Sequence, residues 1–205
     1  MVNNKAVCSA RPGWTCKVFT AVAFTFSLVC LSAAPALADG PAPDRATAKF
    51  EIRFMEDMID HHFMAVQMAQ ICEQKAVHEE LHSLCQNIEQ TQTQEIQEMQ
   101  SWLQQWYGIS YQPQMTNGDM QQLERLASLS GAEFEIEFMK IMIRHHWRAI
   151  VMASQCVDRA FHEELRSLCE NIIITQSQEI QQMRTWLCQW YGICNYGPKG
   201  QAGGQ

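Results

Sequence analysis

The tightest constraint on what this chain can fold into is a gap-free internal repeat. Residues 50–109 align with residues 134–193 at a shift of 84, and 37 of the 60 positions are identical. A unit written twice in this way builds two copies of one supersecondary element, which bury their apolar faces against each other about a pseudo-twofold axis. Within each copy the apolar residues recur with helical period. At 100° per residue, Glu51, Phe54, Met55, Met58, His61, His62, Ala65, Ala69 and Cys72 fall within about 60° of one meridian. Leu81, Leu84, Cys85, Ile88, Gln92, Glu95, Ile96, Met99, Trp102, Leu103 and Trp106 make one face of a second helical stretch. Turns are expected near residues 74–77 and 158–161, and Gly108 and Gly192 stand where a left-handed glycine stops a helix. No period-2 strand pattern occurs. The fold class that follows is all-α, an antiparallel four-helix bundle made from two repeated helical hairpins.

Outside the repeat the chain reads more simply. Lys5, Arg11 and Lys17, an apolar run over residues 18–31 and the Ala36-Leu37-Ala38 cleavage pattern make residues 1–38 an export signal. The run of about fourteen residues is short of the roughly 20 needed to span a bilayer. The layout expected is a signal at 1–38, a linker at 39–43, the first hairpin at 44–112, a connecting loop and short helix at 113–129, the second hairpin at 130–194 and a flexible tail at 195–205, with the two hairpins sharing one domain. Pro113 and Asn117-Gly118 mark the loop, the short helix is expected over 119–128, and Ser130 with Glu133 has the spacing of a capping box. Cleavage removes three of the fifteen basic residues and none of the 22 acidic ones. A mature chain that acidic does not seek nucleic acid or anionic lipid, and it attracts cations.

The inward face is chemically unusual. Thioethers, imidazoles and a carboxylate stand where leucine and isoleucine are expected, and the same groups return in the second copy. A methionine-rich core with satisfied histidines is the plainer account of one such helix; the repetition favours a metal site. Helical hairpins also fix register, because residues at one height have numbers with a constant sum. If Cys72 faces Cys85, then Met58 is level with Met99 and His62 with Glu95. In the second copy Met142 is level with Met183, and His146 with Glu179. His61 lies on the flank of the face, toward the neighbouring hairpin or the surface. Met55 with Met58, and Met64 with Met68, are further thioether pairs along the first helix, and Met139 and Met152 repeat Met55 and Met68. Met115 and Met120, in the connecting segment, are read as packing residues.

Thioether and imidazole donors suit copper, above all Cu(I). Glu95 and Glu179 either orient an imidazole from behind or ligate Cu(II) directly. A di-iron carboxylate site is poorly matched, since Glu79-x-x-His82 has Arg166 at the corresponding place in the second copy. No haem-attachment C-x-x-C-H is present, and the cysteines are too widely spread for structural zinc. Of the six cysteines beyond the leader, Cys72–Cys85, Cys156–Cys169 and Cys188–Cys194 read as disulfides in an exported chain, with buried or copper-binding thiols as the alternative. There is no convincing nucleophile–base pair and no phosphate loop.

The repeated F-x-x-x-M-I-x-H-H-x-x-A-x-x-M-A, then H-E-E-L, then Q-x-Q-E-I-x-x-M-x-x-W-L, resembles a bacterial ferritin-like family of copper-binding periplasmic proteins long catalogued as a domain of unknown function. The resemblance covers nearly all of the chain beyond the leader, in two copies. It implies a helical bundle that binds Cu(I), with Cu(II) and Ag(I) as further ions, and that serves copper tolerance. Carried over by motif, His61, His62, His145 and His146 are the signature pairs, preceded by Met55, Met58, Met139 and Met142; Met68, Met99, Met152 and Met183 complete the candidate ligand set. Asp60 and Arg144 replace the proline that many relatives have before the pair. The function expected is a non-enzymatic periplasmic protein that sequesters copper or hands it on, with a copper export system or another periplasmic carrier as partner, no nucleic-acid or membrane partner after cleavage, and a monomer as the favoured state. A bundle carrying haem or another redox metal is the competing expectation, and a disulfide-stapled interaction module a third.

Overall fold

The computed structural model describes residues 40–197; the export-signal reading and the end of the tail lie outside them. Five helices follow in order: α1 (Arg45–Lys75), α2 (Glu79–Tyr107), α3 (Asn117–Ser128), α4 (Gly131–Arg159) and α5 (Glu163–Tyr191). Each end has a local cause. Asp44 Oδ1 accepts from the amides of Ala46 and Thr47 at 3.0 and 2.9 Å, satisfying two of the free donors that open α1. Glu79 and Glu80 open α2, and Glu163 and Glu164 open α5, where negative charge favours the helix dipole. Gly108 and Gly192 close the same helices at φ 68° and 67°, each with the six-to-one backbone bond of a Schellman motif: Ile109 to Leu103 and Ile193 to Leu187.

The capping expectation moves. Ser130 makes no side-chain cap bond at the start of α4. The capping box lies at Thr116 and Asp119, which opens α3 at Asn117, two residues ahead of the expected start, and takes Asn117-Gly118 into the helix. Gly131, first in α4, has φ 55°, so the chain enters that helix through a left-handed residue next to Ser130, whose own backbone is extended.

α1 packs along α2 and α4 along α5, with the two hairpins joined mainly through α1 and α4. Cys72–Cys85 and Cys156–Cys169 staple each hairpin beside its turn, with Cα atoms 6.0 and 6.1 Å apart, and Cys188–Cys194 ties the end of α5 to the segment after it. Two buried apolar clusters fill the bundle. One contains Met64, Met68, Met139, Met142 and Met183; the other contains Met55, Met58 and Met99, with Met152 packed against it. Burying a side chain of this size contributes about 1.5–3 kcal/mol, so the methionines hold the fold together whatever else they do. α3 covers one cluster with fully buried Leu126.

A reciprocal clasp fixes how the hairpins meet. Glu51, fully buried on α1, accepts from the backbone amides of Phe161 and His162 at 2.7 and 3.0 Å, from His162 Nδ1 at 2.7 Å and from the Tyr107 hydroxyl at 2.5 Å. Glu135 on α4 repeats this on the turn of the first hairpin: Val77 and His78 amides at 2.6 and 2.9 Å, His78 Nδ1 at 2.7 Å, and the Tyr191 hydroxyl. Burial alone pushes the Glu135 carboxyl up, but the bonds from Tyr191 and His78 outweigh it and hold the group below the usual carboxylate range. Trp106 stacks on His162 at 3.7 Å and Trp190 on His78 at 3.9 Å. Each hairpin thus carries the carboxylate that completes the other's turn, which runs α1 and α4 antiparallel. The linker residues take part: the Gly40 carbonyl accepts from His162 Nε2 at 2.9 Å, and Ala42 is buried.

Candidate metal centre

The site is built where α1 and α4 cross. His61 and His145 occupy equivalent places in the repeat and meet across the pseudo-twofold axis, with ring centroids 3.6 Å apart and the planes tilted by 31°. His62 and His146 sit one residue further on, 6.3 Å ring to ring from their neighbours and fully buried. Four imidazoles therefore form one layer, flanked on either side by the two methionine-bearing clusters.

Most ring nitrogens of this layer make no hydrogen bond. Both ring nitrogens of His61, Nδ1 of His145, and both of His62 and His146 are buried without a hydrogen-bond partner. His62 Nε2 stands 2.8 Å from Glu95 Oε2, and His146 Nε2 stands 2.6 Å from Glu179 Oε2, but the ring N–H directions do not meet those oxygens. Burial, then the adjacent His62 and His146 rings, pushes His61 down to about 3. Burial and the facing His61 likewise hold His145 well below the ordinary imidazole range. These two rings stay neutral at pH 7, with a lone pair available to an electrophile and no proton to lose first. Leaving such groups unpaired costs about 1–3 kcal/mol each, a cost a packing-only core avoids.

The hairpin register read from the sequence is the one the structure has: Cys72 faces Cys85, His62 meets Glu95, and His146 meets Glu179. Met55, Met58, Met68, Met99, Met139, Met142 and Met183 are all fully buried, while Met152 is half-buried at the edge of its cluster. Met68 departs from the grouping by hairpin: because α1 and α4 run antiparallel, it packs with Met139, Met142 and Met183 of the second copy. Met115 packs against the core, whereas Met120 is 43 % exposed. Among the described residues, no three His, Cys, Asp or Glu side chains stand together in a way that could hold a metal ion. An ion bound in this layer needs thioether sulfur as well.

Several organising residues escaped sequence reasoning. Glu51 points away from the histidine layer, into the clasp. Its partner His162 lies 111 residues away, and the signal available was the repeated H-E-E after each turn and W-Y-G at the end of each second helix. Asp60 accepts from the Tyr111 hydroxyl and the Gln114 amide, both at 2.8 Å, and so lays the connecting segment against α1 beside the histidine pair. Arg144, its counterpart, donates to the Tyr196 hydroxyl and holds residues read as tail. The residues that replace proline before each pair are thus anchors for the flanking segments.

A duplicated helical hairpin with a paired histidine at its crossing defines a class already described. The family known as Domain of unknown function (DUF305) matches residues 51–187, and this chain belongs to it. Among solved structures, CopM in the Cu(I)-bound form is similar at 38% identity and TM-score 0.63, covering 69% of this chain and 98% of that one. CopM in the Cu(II)-bound form is similar at 38% identity and TM-score 0.62, covering 69% and 97%. A putative secreted DUF305 protein from Streptomyces coelicolor is similar at 25% identity and TM-score 0.63, covering 74% and 98%. No curated protein matches. Among the described residues no helix is long and apolar enough to cross a membrane.

Proposed function

We propose that this chain is a periplasmic copper-binding protein that sequesters Cu(I) or hands it on to an export system or another carrier, and that it acts by binding and not by catalysis. The observation that carries the reading is the layer of four imidazoles, His61 half-buried and the other three buried, most of whose ring nitrogens make no hydrogen bond, set between two groups of thioethers. Soft sulfur and borderline nitrogen donors favour Cu(I) over harder divalent ions, and the low proton affinity of His61 and His145 leaves the ion little competition from protons at pH 7. Similarity to CopM, solved with Cu(I), Cu(II) and Ag, supports the same ions here. The proposed ligands come from His61, His62, His145 and His146 with Met55, Met58, Met99, Met139, Met142 and Met183; Met68 and Met152 stand further out, and Glu95 and Glu179 orient rings or contribute to Cu(II).

Competition with a Cu(I) chelator, run beside zinc calorimetry on the same metal-free protein, tests the proposal. Cu(I) is expected to bind far more tightly than Zn²⁺, and zinc affinity equal to that of Cu(I) overturns it. Visible absorption of the protein as isolated discriminates against a haem carrier, which is coloured where Cu(I) is not.

A further inference from the structure

The third disulfide lies apart from the bundle core and from the histidine layer. Cys72, Cys85, Cys156 and Cys169 are each 0% exposed, whereas Cys194 is exposed and Cys188 half-buried. The second copy alone carries this pair, since the repeat places Gln104 and Ser110 at the equivalent positions. The turn does not need the bond. In the first copy Gly108 donates to the Gln104 carbonyl at 3.1 Å and Ile109 to that of Leu103 at 3.0 Å; in the second, Gly192 donates to Cys188 at 3.0 Å and Ile193 to Leu187 at 2.9 Å. The same helix stop thus forms with and without a disulfide. The charge beside it is also inverted between the copies. The chain beyond Cys194 lies against cations: Arg144 donates to the Tyr196 hydroxyl, Lys140 Nζ stands 5.7 Å from the Tyr196 ring, and the Arg184 guanidinium sits so close to Gly197 that a Cβ there would overlap it. The first copy has Glu56, Asp60 and Gln100 in place of Lys140, Arg144 and Arg184.

We propose that Cys188–Cys194 is a thiol–disulfide exchange site, opened by an external dithiol, and that its two thiolates then hold one Cu(I) at the surface of the bundle. An external thiolate attacks Sγ of Cys194, the more exposed partner; the bond to Cys188 breaks, and Cys188 leaves as a thiolate. The second external thiol resolves the mixed disulfide, so the reductant departs as a disulfide and this chain gains two electrons and two protons. Lys140, Arg144 and Arg184 favour the approach of an anionic thiolate and its formation on this chain, as positive surroundings do at reactive cysteines. The hairpin disulfides, fully buried, lack that access. Opening leaves the two sulfurs gathered, because the backbone bonds of the turn persist without the disulfide and the Cα atoms start 4.4 Å apart. Paired thiolates are soft donors that select Cu(I), and two of them serve zinc poorly, since a structural zinc site takes four ligands. The pair shares no residue with the histidine layer, so it stands or falls apart from that reading.

Anaerobic treatment of the folded, oxidised chain with dithiothreitol, without denaturant and followed by desalting, tests this. Alkylation and peptide mapping of residues 40–197 should find thiols at Cys188 and Cys194, formed at least about tenfold faster than at the hairpin pairs. In chelator competition the desalted, reduced protein should take up one Cu(I) more than the oxidised protein, with a thiolate-to-copper absorption band in the near ultraviolet. Cys188→Gln/Cys194→Ser, which writes the first copy's residues into the second, should lose that additional equivalent and keep the rest. Selective opening and the added equivalent are both read on the unaltered chain, so the test stands if the variant does not fold. The proposal is overturned if the hairpin disulfides open as fast as this one, if reduction adds no Cu(I), or if the added equivalent survives in the variant. Copper uptake by the reduced chain alone, with none by the oxidised chain, would instead defeat the histidine-layer reading and support this one.

Discussion

His145→Leu should make the metal-free protein more stable while impairing copper binding. His145 is 7% exposed, and its Nδ1 has no partner. An unsatisfied buried polar group of this kind costs about 1–3 kcal/mol, which leucine removes. Leucine fills a similar volume, so little cavity or strain is added. Against the gain stands the lost ring contact with His61 at 3.6 Å, worth about 0.5–1.5 kcal/mol. The balance is a stabilisation of about 1 kcal/mol, or a Tm higher by about 2–4 °C for a chain of this size. The pH dependence follows from the same burial. Folded His61 and His145 titrate below the unfolded value of 6.5, His61 at about 3. Below pH 6.5 the unfolded chain therefore binds protons that the folded chain does not, and stability falls as the pH is lowered toward 3. His145→Leu removes one of these protons and should flatten the acid limb. Thermal unfolding of metal-free protein from pH 7.5 down to 4.5, with Cu(I)-chelator competition on the same samples, measures all three effects. A variant destabilised by more than about 1 kcal/mol at pH 7.5 with unchanged copper binding would refute the reasoning, because His145 would then be a satisfied core residue.

Met58→Leu and Met142→Leu separate ligand from packing. Such swaps usually cost under about 1.5 kcal/mol, so each fold should survive while a copper equivalent weakens or disappears, as read by stoichiometric titration beside thermal unfolding. Glu51→Ala strips the acceptor from four donors at once and should cost about 3–5 kcal/mol in denaturant unfolding, with Glu51→Gln milder because one oxygen still serves the two backbone amides. All six cysteines among the described residues are paired, so protein comprising residues 40–197 should show no titratable thiol without reductant. Opening either hairpin disulfide, with its separation of 13 residues, should cost about 3 kcal/mol.

The helices and their pairing within each hairpin were legible in the sequence. A 3.6-residue period fixes which side of α1 and α2 is buried, and a short turn leaves little to adjust beyond one level. The two cysteine pairs set that level, and His62 against Glu95 then follows by counting. The docking of one hairpin on the other was not legible. It depends on the shapes of two helix faces and on bonds spanning more than a hundred residues, and a duplicated sequence is compatible with more than one twofold arrangement. Only the assembled bundle turned Glu51 out of the histidine layer and onto the turn at His162, moved Met68 beside Met139, and brought His61 against His145. Local pattern could show that imidazole and thioether lie on an inward face. The antiparallel crossing of α1 and α4 decided that four imidazoles share one layer, because that geometry is set by tertiary packing and has no period along the chain.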